Sequence, residues 1–272
     1  MKWKLFALIL GLVLGHQAKA FHLFGWWLNG RAIHAANRLC GQPPLLVDAY
    51  FKKHDKTMPL EQLGFGWTSR TANISGWDVE VTAVLYYYQD SIMAYSMEVF
   101  TSAQRGKRKR QQRKLQPAFE LRNDTLLPFI ANKTILEKPL SLYTDTFQKV
   151  DPALGPYMSP LSGTAYGYYS GGGTGNLMTN RQAFMAIQKR LSNSEIERLM
   201  YAINPATRFT AFEYYWAHKE SFGERPDIDA WMERNVAAFP KLPYQVGCII
   251  YEGDTKALIW EYGLRHAFSQ KQ

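Results

Sequence analysis

The sequence predicts an α+β protein. A mixed N-terminal region holds an antiparallel β-hairpin, and a helical C-terminal subdomain is closed by a second hairpin. Three observations carry this. Apolar residues alternate with period two between Val79 and Val99. They recur at helical spacing, behind capping residues, between Thr179 and Pro240. A Pro- and Gly-rich stretch at 151–176 separates the two patterns. Period two marks a strand with one buried face, and a period near 3.6 marks an amphipathic helix.

Taken in order, the elements read as follows. Phe24 to Leu39 is a helix, ended by Gly41 and Pro43-Pro44, and Leu45 to Lys53 is a second. Trp67 to Trp77 holds Thr68, Ser69, Asn73, Ser75 and Gly76, a turn-rich approach to a strand. Val79, Val81, Ala83, Leu85 and Tyr87 share one strand face, and Met93, Tyr95, Met97 and Val99 share the next. For these faces to coincide, Val81 must oppose Val99 and Leu85 must oppose Tyr95, which needs an odd number of loop residues, most simply Gln89-Asp90-Ser91. Phe119–Leu121 and Leu126–Ile130 read as short strands, kept short by Pro117, Pro128 and Pro139.

The 151–176 stretch reads as a linker, with glycines at 163, 167, 171, 172, 173 and 175. Beyond it, Thr179 with Gln182 and Ser192 with Glu195 form two capping boxes. Asn204 caps a third helix with Pro205 at its first position, and Phe209, Phe212 and Trp216 line its apolar side. Asp227 opens a fourth, with Ile228, Trp231 and Met232 inward and Pro240 as its stop. Val246–Tyr251 and Ala257–Tyr262, flanking Gly253-Asp254, read as the closing hairpin.

Residues 1–20 have the layout of a secretory signal peptide. Lys2 and Lys4 precede the apolar run Leu5–Leu14, and Ala18-Lys19-Ala20 supplies an A-x-A cleavage site. The run is too short to span a bilayer, which takes about 20 residues. The expected organisation is therefore a signal peptide at 1–20, a mixed α/β region at 21–150, the linker at 151–176 and the helical subdomain at 177–272. The mature chain, without a transmembrane segment, is expected in the periplasm or secreted.

The formal net charge of +9 is concentrated. Three lysines leave with the signal, which gives +6. Arg105, Lys107, Arg108, Lys109, Arg110, Arg113 and Lys114 bring seven more charges, without which the mature chain stands at −1. A nucleic-acid-binding protein spreads its basic residues over several elements, so nucleic acid is not an expected partner. The run reads instead as an exposed, mobile loop, either a solvated insertion between strands or a contact for anionic lipid or polysaccharide.

Other chemistry is sparse. Cys40 and Cys248 form one candidate disulfide, with two separate buried thiols as the alternative. His22, His34, His54, His218 and His266 include no pair at zinc-helix spacing, and no metal or cofactor is expected. Gly171-Gly172-Gly173-Thr174-Gly175 lacks the Gly-Lys-Ser/Thr of a phosphate loop. Glu213, Glu220, Glu224, Asp227, Asp229 and Glu233 cluster around the third and fourth helices, and Glu213 shares a stripe with Phe209 and Trp216. Trp26-Trp27, Trp67, Trp77, Tyr86–Tyr88 and Tyr166–Tyr169 are either core or rings that stack on sugars.

Ser194–His218 (SEIERLMYAINPATRFTAFEYYWAH) resembles one unit of a HEAT-type helical repeat. It has an acidic-apolar helix, then Asn-Pro, two residues and an arginine. The resemblance implies that the Asn-Pro turn starts the second helix and that Arg208 bonds neighbouring backbone or an acidic side chain. With the glycine-rich stretch before it, the region is also similar to uncharacterised exported bacterial proteins. The expected function is non-catalytic binding or scaffolding in the cell envelope, with another envelope protein as a further candidate partner. The alternative is an envelope hydrolase that cleaves glycan or peptide through acidic residues.

Overall fold

A computed structural model describes residues 24–55, 57–140, 153–167, 169–170, 176–246 and 249–263. The signal segment, Gly171–Gly175, Cys248, His22 and His266 lie outside the described residues. The fold is α+β, and the chain divides into two compact units. The first comprises 24–61, 69–87 and 91–131, and the second 62–68, 88–90 and the described residues from 132 onward.

In the first unit, helix α1 spans 24–39 and α2 Pro44–His54. Strands β1 (Leu60–Gly64), β2 (Trp67–Ser75), β3 (Val79–Tyr88) and β4 (Ser91–Thr101) follow, their ends at 62–68 and 88–90 being counted with the second unit. Helix α3 (Arg105–Leu115), β5 (Leu121–Arg122), β6 (Thr125–Leu126) and β7 (Phe129–Ala131) complete it. The sheet order is β1-β2-β3-β4-β7, with β7 antiparallel to β4, Tyr95 opposite Ala131. The turn-rich reading of 67–77 is corrected: it is strand β2, with Trp67, Ser69 and Ala72 buried, and only Gly76–Asp78 turns.

The core contains Val79, Val81, Ala83, Leu85 and Tyr87 from β3, with Tyr95 and Met97 from β4, as the period-two reading expects. The turn differs. It has two residues, Gln89 and Asp90, both at positive φ (47° and 65°), the mirror-image class that matches strand twist. Ile92 and Tyr95 both pack on this core although three residues apart, so β4 changes phase between them. That shift reconciles a two-residue turn with the observed faces. The buried Asp48 is paired twice: the Tyr87 hydroxyl donates to it at 2.7 Å, and Lys52 pairs with the same carboxylate at 2.8 Å.

The basic run is a helix, α3, rather than a loop. Arg, Lys and Gln are good helix formers. Leu115 is fully buried, Gln111 and Gln112 are nearly so, and the charges splay over the exposed arc. Arg113 and Lys114 fall in the last turn, where the helix dipole favours cations.

The second unit adds α4 (Lys133–Leu136), α5 (Gly155–Met158), β8 (Tyr169–Ser170), β9 (Asn176–Leu177), α6 (Thr179–Ile187), α7 (Asn193–Leu199) and α8 (Pro205–Ala217). It ends with α9 (Lys219–Phe222), α10 (Pro226–Ala238), β10 (Lys241–Val246), β11 (Ile249–Asp254) and α11 (Thr255–Ala257). Residues 153–167 are no bare linker: Leu154, Tyr157, Met158 and Tyr166 are buried. Helix α6 starts at Thr179 behind Met178 without a side-chain cap, so the first expected capping box is absent. Asn180 and Arg181 turn inward instead. The Ser192–Glu195 box is present in full. The closing hairpin is shifted. Lys241 pairs with Asp254 and Val246 with Ile249, while 255–263 is helical. Gly253-Asp254 therefore lies in a strand; Pro240 ends α10 just before the first strand begins.

Helix α8 is buried on nearly every side. Asn204 caps it, accepting from Ala206 N at 2.9 Å, with Pro205 at the first position. Its amide nitrogen also reaches Ser159 O, Ser162 Oγ and Gly163 O at 3.1, 2.8 and 2.9 Å. Asn204→Ala therefore removes a cap and a buried donor together, and is expected to cost ~2–3 kcal/mol. Asn204→Asp keeps the cap acceptor but turns a buried carboxylate oxygen toward the Ser159 and Gly163 carbonyls, so it should rescue nothing over Ala; urea melts of the three proteins check this.

Candidate functional site

The first unit holds a cavity of about 620 Å³ between α1, the Gly76–Asp78 turn and α3. The turn is fixed by Asn29 on α1, which is buried. Its Oδ1 accepts from the backbone N–H groups of Trp77 and Asp78, both at 2.8 Å, and its Nδ2 donates to Asp78 Oδ2 at 3.2 Å. A glycine is required at position 76: a Cβ there would sit 2.8 Å from Asn29 Oδ1 and from Val79 O. At the other end, α1 is tied to the end of α3. Asn37 Nδ2 donates to Lys114 O at 2.8 Å, and the Cys40 thiol donates to Ala118 O at 2.9 Å.

The helical period sorts the basic residues. Lys107, Arg110 and Lys114, spaced i, i+3, i+7, line the cavity with Gln111 between them. Arg105, Lys109 and Arg113 fall on another stripe of the same helix, and Arg108 is exposed near its start. Three of the seven expected contact residues are thus brought to one wall. None of the three makes an ion pair among the described residues. Across from them stand Trp26, 65 % exposed, Trp77, 57 % exposed, and the carboxylate of Asp78. A second recess, about 410 Å³, adds Arg31, His34 and Arg38 of α1 and shares Trp26 and Lys114 with the first. Arg31 lies over the Trp27 ring at 4.8 Å.

Electrostatically this is a cation-rich wall facing indole rings and one acid. It can hold an anionic group against an apolar ring face; it has no nucleophile–base pair. Sequence reasoning named Trp26, Trp77 and the basic residues but missed Asn29, Asp78 and Gln111. A signal for Asn29 was available: it is a polar residue on the apolar α1 stripe, three after Trp26 and four before Ile33. Gln111 had none, because its burial follows from α3 being a helix.

Cys40 is a thiol in the structure, its titration pushed up to about 11 by burial, which keeps it protonated and a poor nucleophile at neutral pH. Its expected partner, Cys248, lies outside the described residues. The acidic candidates do not converge. Glu213 is buried against Arg181 at 2.7 Å. Asp229 pairs with Lys219 at 2.8 Å, and Asp227 with Arg225 at 2.7 Å, which holds that carboxyl below its ordinary range. Arg225 also bonds Glu197 at 2.8 Å. Glu220, Glu224 and Glu233 are exposed. His218 meets Tyr214 O at 2.9 Å. No group of three or more His, Cys, Asp or Glu side chains placed to hold a metal occurs among the described residues. Nor is any described helix long and apolar enough to cross a membrane.

No protein-family model, no curated protein and no solved structure matches this chain.

Proposed function

We propose that the chain is an exported, non-catalytic binding protein of the cell envelope, and that its α1–α3 cavity holds an anionic group of an envelope component. The signal-like segment at 1–20 supports export. The observation that carries the binding reading is the stripe of Lys107, Arg110 and Lys114, without an acidic partner among the described residues and facing Trp26 and Trp77. Unpaired like charges at i, i+3 and i+7 repel, so they cost stability unless a ligand neutralises them. The scatter of the acidic residues among separate basic partners favours binding over hydrolysis. In the second unit, α7 and α8 carry the features that resemble a HEAT-type unit, which fits a scaffold role there.

Two triple variants test it. Replacing Lys107, Arg110 and Lys114 with Gln, or replacing Arg105, Lys109 and Arg113 with Gln, changes net charge equally. At about 1 kcal/mol per charge near an anionic surface, the cavity triple should lose roughly 100-fold in affinity for dextran sulfate. The other triple should lose only the small, salt-screened part. Equal losses would mean diffuse attraction and no site.

A further inference from the structure

We propose that the occupant of the α1–α3 cavity is an acidic sugar unit, one that carries free hydroxyls beside its anionic group. This rests on the binding reading above. A site for phosphate or sulfate alone gains nothing from an acid, yet this cavity contains one. Asp78 is only partly buried, is oriented by Asn29, and makes no ion pair among the described residues, although three cations line the same cavity. A carboxylate there repels a dense polyanion and accepts hydrogen bonds from hydroxyls. Gln111 supplies the second polar element. It is 9 % exposed, it lines the cavity, and its Oε1 is buried without a partner. A half-turn about its last torsion exchanges oxygen and nitrogen, so the amide can offer the cavity an acceptor or a donor. Trp26 and Trp77 then offer flat apolar faces to the C–H face of a ring. Acceptors, rings and cations occur together in a volume within the range of small-ligand sites. A hydroxyl-free polyanion such as polyphosphate uses the cations but leaves the acid repelled and the amide unmatched.

The test is a binding panel on the full exported chain, read by tryptophan fluorescence and calorimetry. The probes are galacturonate and glucuronate tetramers, inorganic polyphosphate, and phosphatidylglycerol–phosphatidylcholine vesicles, against wild type, Asp78→Asn and the Lys107/Arg110/Lys114→Gln triple. We expect an acidic tetramer to bind best and the triple to lose it. Asp78→Asn, nearly isosteric, should weaken the tetramer at least tenfold while strengthening polyphosphate. Opposite signs from one substitution are not what a merely structural role gives, and an unchanged melting temperature excludes unfolding. Polyphosphate or vesicles binding more tightly than either tetramer, with Asp78→Asn strengthening all probes, would overturn the sugar and leave the anion site standing. Binding of no probe would overturn both.

Discussion

Arg208→Met is expected to destabilise the second unit by about 3 kcal/mol or more, a large share of the ~5–15 kcal/mol that holds a typical domain together. Arg208 is fully buried and pairs with no carboxylate among the described residues. Its Nη1 donates to Ala202 O and Ile203 O at 2.7 and 2.9 Å, closing the turn before its own helix. Its Nη2 donates to Leu63 O at 2.6 Å, tying the 62–68 hairpin tip to α8. The guanidinium lies 5.4 Å from the rings of both Phe65 and Phe239. The tip is shaped to this arrangement. Gly64 sits at φ 89°, and a Cβ there would fall 2.1 Å from Phe239. Burial lowers the guanidinium to about 9, still above neutral, so it is a cation at pH 7. Methionine fills much of the space but leaves three carbonyls unpaired, each costing ~1–3 kcal/mol when buried. Relief of the buried charge offsets part of this. Arg208→Lys keeps the charge without the fork and should fall between the two. Urea melts at pH 7 decide it; a methionine variant within about 0.5 kcal/mol of wild type would show the three bonds to be dispensable.

What could be read in the sequence was local. Alternation placed Val79–Tyr87 on a core face, and the Asn204-Pro205 and Ser192–Glu195 patterns located helix starts, because each signal lies within a few residues of its effect. Charge density misled. Seven cations in ten residues suggested a loop, whereas Leu115, buried in the first unit's core, anchors that segment as a helix. The Thr179–Gln182 pattern failed for a similar reason: hydrogen bonds to Asn180 from Tyr157, and from Asn180 to Ser162 and Thr207, set where α6 begins. The cavity was half visible. Its cations and tryptophans are conspicuous in composition, but Asn29, Asp78 and Gln111 become site residues only through tertiary pairing.

Glu213 shows the same limit, and its removal is the other large effect expected. Its place on the apolar stripe of α8 predicted partial burial; in the structure it is 4 % exposed. The partners that make this tolerable are distant in sequence. Arg181 Nη2 donates to Glu213 Oε2 at 2.7 Å, and the Tyr166 hydroxyl donates to the same oxygen at 2.7 Å. Arg181 also reaches Gly167 O at 3.3 Å. An ion pair this deep gains little over a well-packed apolar pair, because desolvating both charges consumes most of their attraction. Breaking it from one side is another matter. Glu213→Leu strands a buried guanidinium and is expected to cost ~3–5 kcal/mol. Arg181→Met strands the carboxylate, with a similar cost. The double variant Arg181→Met/Glu213→Leu removes both charges and should recover most of the loss, while Glu213→Gln, still an acceptor for Tyr166 and Arg181, should lie between. The informative quantity is the coupling energy of the double-mutant cycle from urea melts with unchanged slope. A large favourable coupling means that each charge is retained for the other. Additive losses would mean that Glu213 and Arg181 stabilise the unit through their other contacts, and that the ion pair itself contributes little.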